Sequence, residues 1–140
     1  MRDEYSILEH EQSSIFWNKT KNLEVFSNSK GNLLRVVVPM SETVNVIQKL
    51  KTHNINYFID WGGSLIWLQI ENLNLKILKE IRDITQKHSG YFTIIKIEED
   101  LKASADIFTI DPIKYKISEK IKKSFDPKRI FNPGKMYSGI

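Results

Sequence analysis

The fold is decided by the stretch NYFIDWGGSLIWLQI, which occupies residues 56–70. Two runs rich in β-branched and aromatic residues, 56–61 and 64–70, lie on either side of Gly62 and Gly63. Paired glycines accept the positive φ angles that a two-residue hairpin turn requires. The stretch therefore predicts two antiparallel strands joined by a tight turn.

Two further strands and two helices are predicted on either side of this hairpin. The strands are expected at 33–38 and 91–97, and the helices at 41–53 and 73–88. Ser41 is the expected N-cap of the first helix, and Gly90 is the expected C-terminal cap of the second. The resulting order from 33 to 97, β-α-β-β-α-β, predicts an α+β fold of the ferredoxin-like type. In that fold both helices pack on one face of an antiparallel sheet.

The segments outside this core are predicted to be mainly helical. A helix is expected at 4–18, an irregular or briefly helical segment at 98–111, and a last helix that begins at Pro112, a residue well suited to the first helical position. The last helix has a narrow apolar stripe in which one residue recurs every four positions: Ile113, Ile117, Ile121 and Phe125. The tail 127–140 contains two prolines and two glycines and cannot continue the helix. We expect residues 1–140 to form a single domain.

Composition excludes several classes of function. The 140 residues include no cysteine, which rules out disulfides, thiol catalysis and iron–sulfur ligation by this chain. No apolar run approaches the ~20 residues of a membrane-spanning helix, and the polar N-terminus predicts no signal peptide. The net charge is +4, and residues 112–140 carry eight basic and two acidic residues. This excess favours a solvated lysine face over an anionic partner.

No catalytic or metal-binding motif is present. The three histidines lie far apart in sequence, and His53 and His88 are expected at helix ends, where the helix dipole accommodates them. Arg35 is the unusual residue, because it interrupts an apolar strand. A buried guanidinium needs an anionic partner, which is either a protein carboxylate, favoured on physical grounds alone, or the carboxylate of a substrate.

The tail contains the most distinctive motif. Residues 125–136, FDPKRIFNPGKM, closely resemble the C-terminus of FAD-linked oxidases of the vanillyl-alcohol-oxidase and p-cresol-methylhydroxylase type. Three further stretches look like successive landmarks of the glycolate oxidase E-subunit family: LRVVVP at 34–39, DWGGSLIWL at 60–68 and GYFT at 90–93.

This resemblance implies the cap domain of an enzyme in which FAD accepts a hydride from a 2-hydroxy acid. It implies that Arg35 binds the substrate carboxylate, with Trp61 and Trp67 as further substrate-side candidates. The implied flavin-side residues are Phe131, Asn132, Pro133, Gly134 and Lys135. The resemblance gives no catalytic residue and no metal ligand.

The glycine-rich half that cradles FAD in such enzymes has no counterpart in these 140 residues. We therefore expect this chain alone neither to bind FAD nor to be active. The implied partners are an FAD-binding half or subunit, further oxidase subunits including an iron–sulfur subunit, and a small 2-hydroxy acid. The implied location is the cytoplasm or the inner face of the inner membrane.

Two alternatives belong to other functional classes. The β-α-β-β-α-β order is also that of RNA-binding modules, but these need stacking aromatic and basic residues on the third strand. Here that strand, 65–70, has one aromatic residue and no basic residue, so we expect no nucleic-acid partner. The other alternative is a stand-alone ferredoxin-like module that senses a ligand or forms oligomers.

Overall fold

The computed structural model describes residues 6–27, 31–102, 104–109, 111–135 and 137. The chain divides into two compact units, residues 1–30 and 31–140. The helices are α1 (His10–Lys21), α2 (Thr43–Leu50), α3 (Leu75–Lys87), α4 (Glu99–Lys102) and α5 (Pro112–Phe125). The strands are β1 (Asn32–Val37), β2 (Asn56–Asp60), β3 (Leu65–Ile70) and β4 (Tyr91–Lys96).

The four strands form one antiparallel sheet in the order β2-β3-β1-β4. This order and the position of α2 and α3 along the chain confirm the predicted α+β, ferredoxin-like architecture. β1 is central, and in its register Arg35 lies opposite Trp67 of β3 on one side and Thr93 of β4 on the other. Arg35 therefore lies in the middle of the sheet.

The alternation along β1 decides which face of the sheet becomes the core. Leu34 and Val36 are fully buried and belong to the core cluster that also contains residues of α2 and α3, such as Leu50 and Ile81. Because successive side chains of a strand point to opposite faces, Arg35 lies on the other face. We call this second face the Arg35 face.

The turn between β2 and β3 differs from the prediction. A four-residue loop, 61–64, replaces the expected two-residue turn, because Trp61 leaves the strand with a φ of 52° and joins a 3₁₀ turn over Trp61–Gly63. Gly62 and Gly63 also have positive φ angles, 61° and 107°. The two glycines do allow the chain to reverse direction, as predicted. The left-handed backbone starts one residue before them, however, so the prediction that β2 includes Trp61 was wrong.

Two predicted helix starts were also wrong. The first helix begins at His10 rather than at residue 4, because Glu9 and Gln12 form a capping box in which the Gln12 side chain accepts a hydrogen bond from the Glu9 amide at 3.3 Å. The predicted residues 4 and 5 lie outside the described part of the chain. Ser41 is not an N-cap, since it lies inside a 3₁₀ turn over Met40–Glu42 that precedes α2.

Gly90 has a different role from the predicted cap. The residue with left-handed backbone after α3 is Ser89, whose φ is 56°. Gly90 lies where a Cβ atom would come within 2.4 Å of Val38 Cγ1 and 2.5 Å of the Val37 carbonyl oxygen. A glycine is needed here because the chain entering β4 passes directly against the end of β1.

The C-terminal part of the second unit follows the sequence prediction. The segment 98–111 contains the short helix α4 and then pairs with the edge of the sheet, where Phe108 bridges to Thr93. Asp111 caps α5 by accepting hydrogen bonds from the Ile113 and Lys114 amides, and Pro112 is the first residue of the helix. Among the helices of the described residues, none is both long and apolar enough to cross a membrane.

Candidate functional site

The Arg35 face carries a cluster of one guanidinium and two indole rings. The guanidinium carbon of Arg35 lies 4.8 Å from the ring centroid of Trp61 and 6.0 Å from that of Trp67. Both distances are in the range of cation–π attraction. The structure thus brings together the three residues that were predicted as substrate-side candidates. We call them the Arg35 cluster.

The Arg35 guanidinium is incompletely paired. Its Nε atom is buried without a hydrogen-bond partner, and within the described ranges no carboxylate forms an ion pair with it. The protein carboxylate favoured from the sequence is therefore not found there. Aromatic rings attract a cation but do not replace an anionic hydrogen-bond acceptor. The guanidinium therefore carries a positive charge that no carboxylate of the described residues neutralises.

The loop 61–64 holds Trp61 in place beside Arg35. The Asp60 carboxylate accepts a hydrogen bond from the Trp61 amide at 2.7 Å, and the Ser64 hydroxyl donates to the Trp61 carbonyl at 3.0 Å. The Thr43 hydroxyl donates to the Gly63 carbonyl and so ties the loop to the start of α2. The indole itself remains 56% exposed, which leaves one side of the cluster accessible.

The tail after α5 is organised by Asp126, a residue that sequence analysis did not select. Its carboxylate accepts hydrogen bonds from the amides of Ile130 and Phe131, both at 3.0 Å, and pairs with the Lys122 ammonium at 2.8 Å. The hydrogen bond from Lys122, aided by those from the two amides, lowers the pKa of Asp126 to about 2. This network folds residues 126–131 into a defined turn.

The turn exposes the residues that were predicted as flavin-side candidates. Phe131, Asn132, Pro133, Gly134 and Lys135 are all exposed, and Asn132 and Gly134 have positive φ angles. The structure shows no contact between these residues and the Arg35 cluster within the part of the chain that it describes. Their placement toward a flavin stays a prediction.

An apolar surface continues from the tail along α5. Ile130 and Phe131 are exposed, and so is every member of the predicted apolar stripe of the helix: Ile113, Ile117, Ile121 and Phe125. Phe125 alone is 84% exposed. No residue of α5 is buried. Large contiguous apolar surfaces of this kind are typical of interaction sites. We call these six residues the α5 stripe.

The histidines play structural roles. His88 is the C-cap of α3, where it contacts the Glu42 carboxylate through Nδ1 and accepts from the Lys49 ammonium through Nε2 at 2.8 Å. The hydrogen bonds from His88 and Asn45 hold the pKa of Glu42 below its usual value. His53 lies 3.2 Å from Glu80. Within the described residues, no group of three or more potential ligands could hold a metal ion.

A groove of about 490 Å³ lies between the edge of the sheet and α5. Its lining residues come from β4, from the segment around Phe108 that bridges to β4, from α5 and from the tail: Tyr91, Phe108, Thr109, Lys114, Ile117, Ser118 and Tyr137. The ring centroids of Phe108 and Tyr137 are 6.0 Å apart. The groove could not be predicted from the sequence, because no local sequence pattern shows that four separate segments of the chain meet.

Comparison with known proteins adds one finding. Residues 108–136 match the family model described as FAD linked oxidases, C-terminal domain. The match begins at Phe108, which bridges to β4, and covers α5 and the turn that Asp126 organises at residues 126–131. It supports an FAD-linked oxidase C-terminal domain in this part of the chain. No characterised protein and no solved structure gives a significant match to the chain.

Proposed function

We propose that these residues form the cap domain of an FAD-dependent 2-hydroxy-acid oxidoreductase of the glycolate oxidase type. In this proposal the Arg35 face covers the reaction site, and the α5 stripe packs against a flavin-holding body formed by residues outside these 140. The observation that carries the proposal is the family match at 108–136, because it includes all six residues of the exposed α5 stripe.

The substrate side of the proposal rests on the charge of Arg35. A 2-hydroxy acid presents a carboxylate next to the carbon that is oxidised. The incompletely paired guanidinium can donate two parallel hydrogen bonds to such a carboxylate and so fix its orientation. The rings of Trp61 and Trp67 flank the guanidinium and limit the directions from which a carboxylate can approach it.

The described residues fit one side of a flavin site and not the whole of it. The tail presents Phe131 and the turn at 132–135 at the surface, where a planar ring could pack against them. The core of the second unit is filled by its own side chains, such as Phe92 and Leu68. FAD, when bound, supplies the hydride acceptor; this chain binds and orients the substrate and excludes water.

The proposed partners and location follow from the resemblance to glycolate oxidase. The partners are an FAD-binding half or subunit and further oxidase subunits, one of them an iron–sulfur protein. The assembly works in the cytoplasm or at the inner face of the inner membrane. This chain on its own is inactive, since the hydride acceptor needs the flavin-holding body.

The proposal is tested by adding the flavin-holding body. The chain is purified alone and after co-expression with a glycine-rich FAD-binding half of a glycolate-type oxidase. We expect no flavin absorbance in the first preparation. In the second we expect co-purified flavin that is bleached by a 2-hydroxy acid under anaerobic conditions. Co-purification that survives Ile121→Asp, or bleaching that is insensitive to Arg35→Met, would contradict the proposed surfaces.

The RNA-binding alternative has less support. Single-stranded RNA stacks on aromatic side chains of the central strands. On the Arg35 face the central strand β1 presents Leu33, Arg35 and Val37, and the other central strand, β3, adds a single aromatic residue, Trp67. A salt-sensitive micromolar affinity in a filter-binding titration would be needed to revive it.

A further inference from the structure

We infer that the groove between β4 and α5 is a second ligand site, one that binds a small aromatic carboxylic acid. The groove is separate from the Arg35 cluster and shares no residue with it. With the α5 stripe it shares Ile117, so the inference concerns the chain without the flavin-holding body; it goes beyond the proposed oxidase function and does not depend on it.

The size and the walls of the groove suit an aromatic ring. Its volume of about 490 Å³ lies within the range of small-molecule pockets, roughly 300–1,000 Å³. Three of its lining residues are aromatic: Tyr91, Phe108 and Tyr137. Tyr137 forms tilted or edge-on ring pairs with Phe108 and with Tyr115, which fix its orientation. A flat apolar ligand would add a further ring to this arrangement.

The polar groups of the groove suit an anion. Lys114 lines it, and within the described ranges the Lys114 ammonium forms no ion pair. The hydroxyls of Ser118 and Thr109 also line it and can donate hydrogen bonds. Among the described residues no acidic side chain lines the groove. One cation, two hydroxyls and three rings together match an arene carboxylate.

The exposure of two lining residues supports the same conclusion. Tyr91 and Ile117 are 53% and 54% exposed, although both face a concave surface. A ligand ring seated between them would remove apolar area from water, and this favours binding by roughly 25 cal/mol per Å².

The test uses 2-naphthoate as the probe and the complete 140-residue chain, with binding followed by amide chemical shifts. We expect saturable binding that shifts residues of β4 and α5, and no comparable binding of uncharged 2-naphthylmethanol. Lys114→Met should weaken binding roughly ten- to a hundredfold, the size of one lost charge-assisted hydrogen bond. Lys116→Met removes the same charge from a residue of α5 outside the groove and should leave binding unchanged.

A second pair of variants controls for folding. Ile117→Asp and Ile121→Asp change residues that are equally exposed, 54% each, but only Ile117 lines the groove. Only the first should abolish naphthoate binding. Equal binding of the alcohol, or binding that is lost in Arg35→Met and kept in Lys114→Met, would overturn the inference. The flavin experiment relies on Ile121→Asp and Arg35→Met, neither of which changes a residue of the groove, so the two proposals fail separately.

Discussion

At the scale of single residues, Arg35 can be tested without any cofactor. Arg35→Met removes two aromatic contacts but also removes a buried N–H group that lacks a partner. Because these effects oppose each other, we expect the free energy of unfolding to change by less than about 1 kcal/mol in urea denaturation. If Arg35 instead stabilised the fold through an internal anion, the loss would exceed about 2 kcal/mol.

Arg82 provides the matched control for this measurement. Its guanidinium lies 3.5 Å from the Asp106 carboxylate, donates to the Asp106 carbonyl at 2.9 Å, and packs over the Phe92 ring. Arg82→Met breaks contacts that join α3 to the segment before α5. We expect it to lower the free energy of unfolding by about 1–3 kcal/mol.

Asp126 gives the tail turn a defined pH dependence. Its pKa is about 2 in the folded chain and 3.8 ordinarily, so its ionised form favours the folded turn. This contribution is fully present above pH 4 and is lost as the pH falls from about 4 to 2. Amide hydrogen exchange at Ile130 and Phe131 should therefore become less protected over that range, relative to the amides of α5.

Asp126→Asn should remove this pH dependence and leave the two amides poorly protected at neutral pH. Asp83→Asn, a change at an exposed carboxylate of α3, should leave both the protection and its pH dependence as they are. Protection at Ile130 that stays constant from pH 5 to pH 2 (a range set around the two pKa values) would contradict the role given to Asp126.

Arg35 could be singled out from the sequence and Asp126 could not, and the reasons are physical; the substrate role of Arg35 stays a prediction. A charged residue inside this strand stands out, because its neighbours on both sides, Leu34 and Val36, and the residues beyond them are all apolar. Asp126 looked like a helix stop beside Pro127, and its role became visible only when the amides four and five residues later were seen to return to it. Trp61 was only partly predictable. Its aromatic side chain made it a candidate, but it lies beside Arg35 because its backbone is left-handed and not because of its register in a strand.

At the scale of elements, Gly90 tests how tightly β4 is joined to β1. A methyl group on Gly90 would overlap Val38 Cγ1 and the Val37 carbonyl oxygen, and a backbone atom cannot move aside cheaply. We expect Gly90→Ala to lower the free energy of unfolding by about 3 kcal/mol, the upper range for overpacking. Thermal unfolding followed by circular dichroism measures it.

Gly62 is the control, because it has a positive φ but no neighbouring atom within 4 Å of the position that a methyl group would occupy. Gly62→Ala should therefore cost only the strain of a left-handed backbone, about 1 kcal/mol. If the two alanine variants were equally stable, close packing would not be the reason for glycine at position 90.

The elements themselves were largely predictable, whereas their ends were not. Sequence patterns predicted the four strands and the four helices α1, α2, α3 and α5 in the correct order, because burial of one face sets the period of an element. The ends depend on single hydrogen bonds, such as the capping box at Glu9 and the cap that Asn74 makes with the Ile77 amide at 2.9 Å. Several residues near each end could serve as caps, so sequence alone did not choose among them.

At the scale of the second unit, residues 31–140, buried and exposed apolar surfaces are clearly separated. Sheet and core helices share one cluster, in which Ile81 and Phe92 are fully buried. The α5 stripe remains outside that cluster. This separation was foreseeable only in part: the spacing of the stripe predicted an amphipathic helix, but an amphipathic helix ordinarily covers its own core.

The last prediction therefore concerns the α5 stripe as an interaction surface. Without its partner, the chain should associate with itself as its concentration rises, because exposed apolar area is removed from water in the contact. Sedimentation velocity over a hundredfold concentration range should show this. The double variant Ile121→Asp with Phe125→Asp should stay monomeric and keep its free energy of unfolding within about 0.5 kcal/mol, since these side chains contribute nothing to the core. Ile81→Ala, in contrast, should lose about 2–5 kcal/mol and still associate. A parent chain that remains monomeric throughout would show that the stripe is too weakly apolar to bind another surface, and the packing proposed for the flavin-holding body would lose its physical basis.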